Sequence, residues 1–222
     1  MHRNASAGVT KLLGPHKWTY YYLYVVLDLF SRKVVGWLIA VQEAAALAEQ
    51  LVAATCAREG IAPDQLTLHA DRGSAMVAHS LALLLTDLGV HKSHSRPHVS
   101  NDNPYSEAQF KTLKYAPTFP AFFSSLADAR AWCQVFFRWY NDEHHHTGIG
   151  LLTPAVVHAG QAPVVQAQRQ ATLATAYAAH PARFVNGPPV PPALPTAAWI
   201  NPPAPTPQTT TIPEGFDLPI VV

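Results

Sequence analysis

The order of apolar runs and helical stripes in this chain predicts an α/β fold: a mixed sheet flanked by helices on both faces, followed by a proline-rich C-terminal tail. Three observations carry that prediction. Two neighbouring apolar runs, residues 19–27 and 34–40, are joined by a short turn at 28–33, the pattern of an antiparallel hairpin. Helical stripes at 43–58 and 81–88 then alternate with a short, mostly apolar run at 66–70 and a short edge-strand segment at 90–95, the rhythm of strand–helix–strand units. Twelve of the twenty prolines fall within residues 181–222, which can continue neither a helix nor a sheet.

Taken in order, residues 1–10 are rich in alanine and glycine, which weaken a strand, so the first strand is expected to be truncated or degraded. In the second, Tyr20, Tyr22, Tyr24 and Val26 alternate with Tyr21, Leu23, Val25 and Leu27; both faces are apolar, which predicts a central position. Asp28 stands near the hairpin tip, where a carboxylate satisfies turn amides. The alanine-rich helix at 43–58 presents Leu47, Leu51 and Ala54 on one face and is stopped by Gly60 and Pro63. Leu81, Leu84, Leu85 and Leu88 stripe a second helix that ends at Gly89, and residues 90–95 form an edge strand. Proline at 104 opens another helix after a polar loop at 96–103. Ser125 and Asp128 have the spacing of a capping box, followed by Ala129, Trp132, Cys133, Phe136, Phe137 and Tyr140 at helical spacing, which reads as core. This divides the chain into a core at 1–160, a helical extension at 161–180 and a disordered tail at 181–222.

Composition narrows the function classes. Of 222 residues 49% are hydrophobic and 13% charged, enough for one good core, and the formal net charge of +1 is not that of a strongly basic nucleic-acid binder. Charge is locally concentrated, however, at His91, Lys92, His94, Arg96, His98, Lys111 and Lys114. Cys56 and Cys133 read as buried small hydrophobes. No apolar run approaches a membrane span and no signal-peptide pattern opens the chain, which predicts a cytoplasmic protein with no membrane partner.

Two carboxylates stand out. Asp71 follows the apolar run at 66–70 and precedes a glycine, placing it where a strand turns. Glu107 falls in the first turn of the helix opened by Pro104, and Lys111 and Lys114 share its face. Such a set suits magnesium or manganese facing phosphate, because these ions keep waters and take few protein ligands. Most acidic residues are solvated surface groups, so the spacing alone is weak. The triplet His144-His145-His146 invites a zinc reading, but consecutive side chains diverge.

Asp71 and Glu107 are separated by thirty-five residues, and Glu107 sits in Asn101-Asp102-Asn103-Pro104-Tyr105-Ser106-Glu107, followed by Phe110, Lys111, Leu113 and Lys114. This segment resembles the catalytic core of retroviral-integrase-like transposases of bacterial insertion sequences. Tyr140-Asn141, His144, His146 and Thr153-Pro154 resemble a further signature of that family. The resemblance covers roughly residues 8–160 and implies a ribonuclease H-like sheet. It also implies two aspartates and a glutamate holding two magnesium or manganese ions, with cleavage and strand transfer of DNA phosphodiesters as the activity. Asp71 and Glu107 match the second aspartate and the glutamate. Thr10, Lys11 and Leu12 set a register that puts Gly8 at the first aspartate, which predicts an impaired enzyme. Arg96, Asn101 and Asn103, with Lys111 and Lys114, would contact DNA. Transposon ends and target DNA, and other copies of the chain in a homo-oligomer, are the implied partners. Two other classes stay open: a non-catalytic DNA-binding or assembly relic of a transposase, and a nuclease that cuts without joining.

Overall fold

The computed structural model describes residues 3–70, 74–94 and 104–200. Five strands, β1 (Arg3–Leu13), β2 (Tyr20–Asp28), β3 (Val34–Ala40), β4 (Leu66–Ala70) and β5 (Val90–His94), form one sheet in the order β3-β2-β1-β4-β5. The first three make an antiparallel meander, and β4 and β5 run parallel to β1. The sheet is therefore mixed, with β2 inside it and β5 at one edge, as the apolar patterns predict. Seven helices complete the described residues: α1 (Ala45–Arg58), α2 (Ser74–Val77), α3 (His79–Asp87), α4 (Pro104–Lys114), α5 (Leu126–Asp142), α6 (Pro154–His158) and α7 (Ala162–Ala179). None is long and apolar enough to cross a membrane.

Side chains of β1 and β2 alternate between two cores, as the period of two demands. Ala5, Ala7, Tyr24 and Val26 pack with Leu68 and Ala70 beneath Leu51, Val52, Leu81 and Leu85 of α1 and α3. Leu12, Leu23, Val25 and Leu27 face the other way, onto Leu113 of α4 and Ala129, Cys133, Phe136, Phe137 and Tyr140 of α5. Each large side chain so buried contributes roughly 1.5–3 kcal/mol.

The first strand differs from its expectation. Ala5, Ser6, Ala7 and Gly8 are all buried in the middle of an eleven-residue strand hydrogen-bonded on both sides. A central position overrides poor strand propensity, because that propensity largely reflects what a residue packs against.

Local signals hold with small shifts. Gly60 and Gly89, the expected helix stops, both take left-handed φ values of 62°. The first helix begins at Ala45 rather than 43, and Glu43 accepts a hydrogen bond from the Ala75 amide at 3.3 Å. Ser125 Oγ caps α5 through the Asp128 amide at 3.0 Å, but Asp128 reaches Ser124 instead of closing the box on Ser125. Helix α7 falls within the segment 161–180, and the separate short helix α6 precedes it.

Three long-range links lock these pieces. The Asn141 side chain accepts from the Val34 amide at 2.9 Å and donates to the Val34 carbonyl at 3.0 Å, riveting α5 to β3. Arg169 of α7 donates to the carbonyls of Gly150 and Leu151 at 2.8 and 2.6 Å. His158 of α6 places Nε2 2.9 Å from Glu59 Oε2 and Nδ1 3.2 Å from Ser31 Oγ. Its Nδ1 is 3.8 Å from Asp28 Oδ2, an ion-pair distance rather than a hydrogen bond. The Asp28 carboxylate raises the His158 pKa against the effect of burial, with help from Glu59. Burial in turn pushes the Asp28 carboxyl up, but His158 and Ser31 together hold it below its ordinary value.

After a short 3₁₀ turn at Pro181–Arg183 the chain runs without helix or strand to Ile200. It touches the body through Gln166 Nε2, which donates to the Pro192 carbonyl at 3.2 Å, and through Tyr105. Residues 201–222 lie outside the described residues.

Candidate nucleic-acid and metal site

Helix α4 carries the described half of the site. It starts at Pro104, and its buried face is Ser106, Gln109 and Leu113, while Glu107, Lys111 and Lys114 are exposed on the opposite side. The expected sharing of one face by these three charged groups is thus observed. Tyr105, in the same first turn, is held on two sides. The Arg32 guanidinium carbon lies 3.8 Å from its ring centre, and its hydroxyl donates to the Trp199 carbonyl at 2.9 Å.

Strand β1 supplies the opposite wall. Ser6 and Gly8 share the face that meets α4, and Ser6 Oγ lies 2.6 Å from Ser106 Oγ. A Cβ built on Gly8 would sit 3.1 Å from Phe110 Cε2 and 3.7 Å from Ser106 Cβ. Residue 8 therefore points at the helix that bears Glu107, and as glycine it offers no donor atom.

Ala7, the neighbour of Gly8, pairs with Ala70, the last residue of β4, in the β1–β4 ladder. Asp71 itself, with Arg96, His98, Asn101 and Asn103, lies outside the described residues. Asp28 does not stand in for residue 8. It pairs with Ala5, three residues or roughly 10 Å along the strand from Gly8, and its Oδ2 accepts from the Ser31 amide at 2.8 Å and from the Ser31 hydroxyl. That is the turn role expected of it. Among the described residues no group of three or more His, Cys, Asp or Glu could hold a metal ion.

Histidines that border the site have structural partners. His69, 3% exposed, places Nδ1 3.1 Å from Ser93 Oγ and pairs across the ladder with Ser6. His144 and His146 pack their rings against Tyr140, with centroids 5.7 and 5.0 Å away. Burial and the positive neighbours His144 and Arg32 push His146 down to about 4.

Sequence reasoning passed over Ser6, Ser106 and Tyr105. The one signal available was the two-residue spacing that puts Ser6 on the same strand face as Gly8. Nothing local announces that Tyr105 meets a residue 94 positions away.

Comparison with known proteins agrees with this geometry. Models of the integrase core domain match residues 6–100 and residues 88–154. A transposase for insertion sequence element IS904 from Lactococcus lactis subsp. lactis (strain IL1403) is 31% identical over 137 residues, covering 60% of this chain and 53% of that protein. This chain thus spans about half the length of that relative. Among solved structures, the magnesium-bound HTLV-2 integrase catalytic core domain in its trimeric form gives a TM-score of 0.52 at 17% identity, over 71% of this chain and 95% of that one. The simian T-cell lymphotropic virus intasome in complex with PP2A regulatory subunit B56 gamma gives 0.55 at 20% identity, over 71% and 54%. The catalytic domain of Mos1 mariner transposase gives 0.50 at 16% identity, over 62% and 70%. At such identities the structural likeness speaks for the fold alone, which is the ribonuclease H-like sheet of integrase and transposase cores. The two integrase core domain models, which together span residues 6–154, and the transposase relative identify this chain as an integrase core domain of the kind that insertion-sequence transposases carry.

Proposed function

We propose that this chain is an integrase-type core that engages DNA but is a poor catalyst of phosphodiester cleavage and strand transfer. The observation that carries this reading is Gly8: the residue facing α4 from the centre of β1 has no side chain, and the space is bounded by Phe110 and Ser106. The magnesium or manganese that the family resemblance implies needs hard oxygen ligands. Glu107 supplies a carboxylate on α4, position 8 supplies none, and Asp28 is engaged in its turn. Among the described residues these donors do not complete a two-ion site.

What remains serves binding. Lys111 and Lys114 lie exposed beside Glu107, where ammonium groups meet phosphates without reading sequence. Arg96, Asn101 and Asn103 contact the same DNA, and a second copy of the chain joins the assembly on transposon ends and target DNA. Losing Lys111 or Lys114 should lower the salt dependence of DNA binding by about one counterion each.

The deciding experiment titrates manganese calorimetrically into the unaltered protein, Gly8→Asp and Asp71→Ala. Binding by Gly8→Asp alone supports an incomplete site that one carboxylate restores. Tight binding by the unaltered chain that Asp71→Ala abolishes, together with efficient strand transfer, would show an active enzyme and refute the reading. DNA binding that survives Asp71→Ala in the absence of metal affinity would favour the non-catalytic module.

A further inference from the structure

The chain beyond α7 doubles back over the sheet. Leu194 packs against the small apolar cluster of Ile149, Leu152, Val157 and Ala162. From there residues 196–199 pass Asn4, Asp28 and His158 at the end of the sheet, and residues 198–200 reach the face of β1 and β4 beside α4. The far end is tethered by Tyr105, whose hydroxyl donates to the Trp199 carbonyl at 2.9 Å, two residues before Glu107.

Beneath this strap lie Ala5 and Leu29 beside the polar Asn4, Thr67, His69 and Ser93, and a cleft of about 320 Å³ separates strap from floor. A second cavity of about 420 Å³ opens where the strap crosses Asp28 and His158. Trp199 is 56% exposed although it lines both cavities. The segment is loosely seated over a groove lined by both apolar and polar residues.

The direction of that surface matters. Asn4 pairs with Thr67 and Ser6 with His69, and Asn4, Ser6 and Gly8 share one face of β1. Asn4 is exposed beneath the strap, whereas Ser6 and Gly8 are buried where β1 meets α4, so the exposed groove ends at the first turn of α4, where Tyr105 holds the strap. The strap adds nothing that would attract a polyanion. Beyond Arg183 the sequence has no Lys, Arg or His, and its charged groups are Glu214 and Asp217. Pro191, Pro192 and Pro195 favour an extended chain, lowering the entropy lost on lying down.

We propose that residues 194–200 form an autoinhibitory strap: they occupy the groove through which a DNA strand reaches the Glu107 turn of α4, and they leave it when DNA binds. This rests on reading the α4 surface as a DNA interface. In the full chain, Asn4→Cys and Ala198→Cys are introduced together, since both residues line the two cavities; Cys56 and Cys133 are buried and do not compete. Binding of a short fluorescent duplex is followed by anisotropy, with disulfide formation checked by mass. The oxidised protein should lose binding that reduction restores, because the competent fraction is held near zero. Tyr105→Phe, which removes only the tether's hydroxyl, should bind severalfold tighter than the unaltered chain. Equal binding by oxidised and reduced protein, or no gain in Tyr105→Phe, overturns the strap while leaving the DNA reading intact. No binding by any form overturns the DNA reading and the strap with it.

Discussion

Ser6 Oγ and Ser106 Oγ lie 2.6 Å apart in a buried hydrogen bond that ties the centre of β1 to the first turn of α4. The bond sits between Gly8 on the strand and Glu107 on the helix, so it sets the distance between the two walls of the site. Ser6→Ala should destabilise the protein by about 1–3 kcal/mol, because the Ser106 hydroxyl is left buried without that partner. Adding Ser106→Ala should cost less than the sum of the single changes, a coupling that urea unfolding of the four proteins of the cycle would measure. Strict additivity would mean that the bond does not hold the helix.

Gly8→Asp should restore a ligand at a steric cost. The new Cβ meets Phe110 Cε2 at 3.1 Å, so the ring must move by a few tenths of an ångström. Without metal the variant should lose about 1–3 kcal/mol of stability, as overpacked cores do. Manganese should return part of that loss by mass action, visible as a rise in melting temperature that the unaltered chain does not share. Shortening Phe110 to Leu in the same protein should relieve the metal-free loss.

Gln109 is 2% exposed, and its Oε1 and Nε2 are buried with no hydrogen-bond partner among the described residues. An amide buried in this way forfeits its hydration for nothing. Gln109→Met, close in volume and free of polar hydrogens, should therefore be neutral or stabilise by up to about 2 kcal/mol. A clear loss of stability in chemical unfolding would mean that the amide has work to do in this turn of α4.

Two histidines should give opposite pH dependences. His158 has its pKa raised above 6.5 by Asp28, so its stabilisation is complete below 6.5 and disappears as pH rises through the raised value. Asp28, held below 3.8, contributes above that value and loses its contribution as pH falls through its lowered one. His146, pushed down to about 4, works in reverse: the folded state keeps it neutral, and stability is lost as pH falls from 6.5 towards 4. His158→Gln should thus destabilise most near about pH 5 and least near about pH 9, whereas His146→Phe should flatten the acid loss. Urea midpoints across pH would separate the two, and a His158→Gln cost independent of pH would disprove the ion pair.

Local chemistry in the sequence was enough to determine most of the elements. β3 and β4 fall on the predicted residues, and α4 begins at the predicted proline. The core stripe from Ala129 to Tyr140 was legible because burial imposes a helical period on apolar residues. The spacing of Asp71 and Glu107 and the glycine at position 8 were legible for a similar reason, since they are properties of order along one chain. Only the tertiary structure decided what those residues face. It turned a weak alanine- and glycine-rich segment into a central strand, because pairing on both edges supplies what propensity lacks. It brought Ser6 against Ser106 and Asn141 against Val34, contacts spanning 100 and 107 residues, and laid Trp199 over Tyr105. Such contacts depend on where the sheet and its helices converge in space, and no periodicity in a linear chain encodes that.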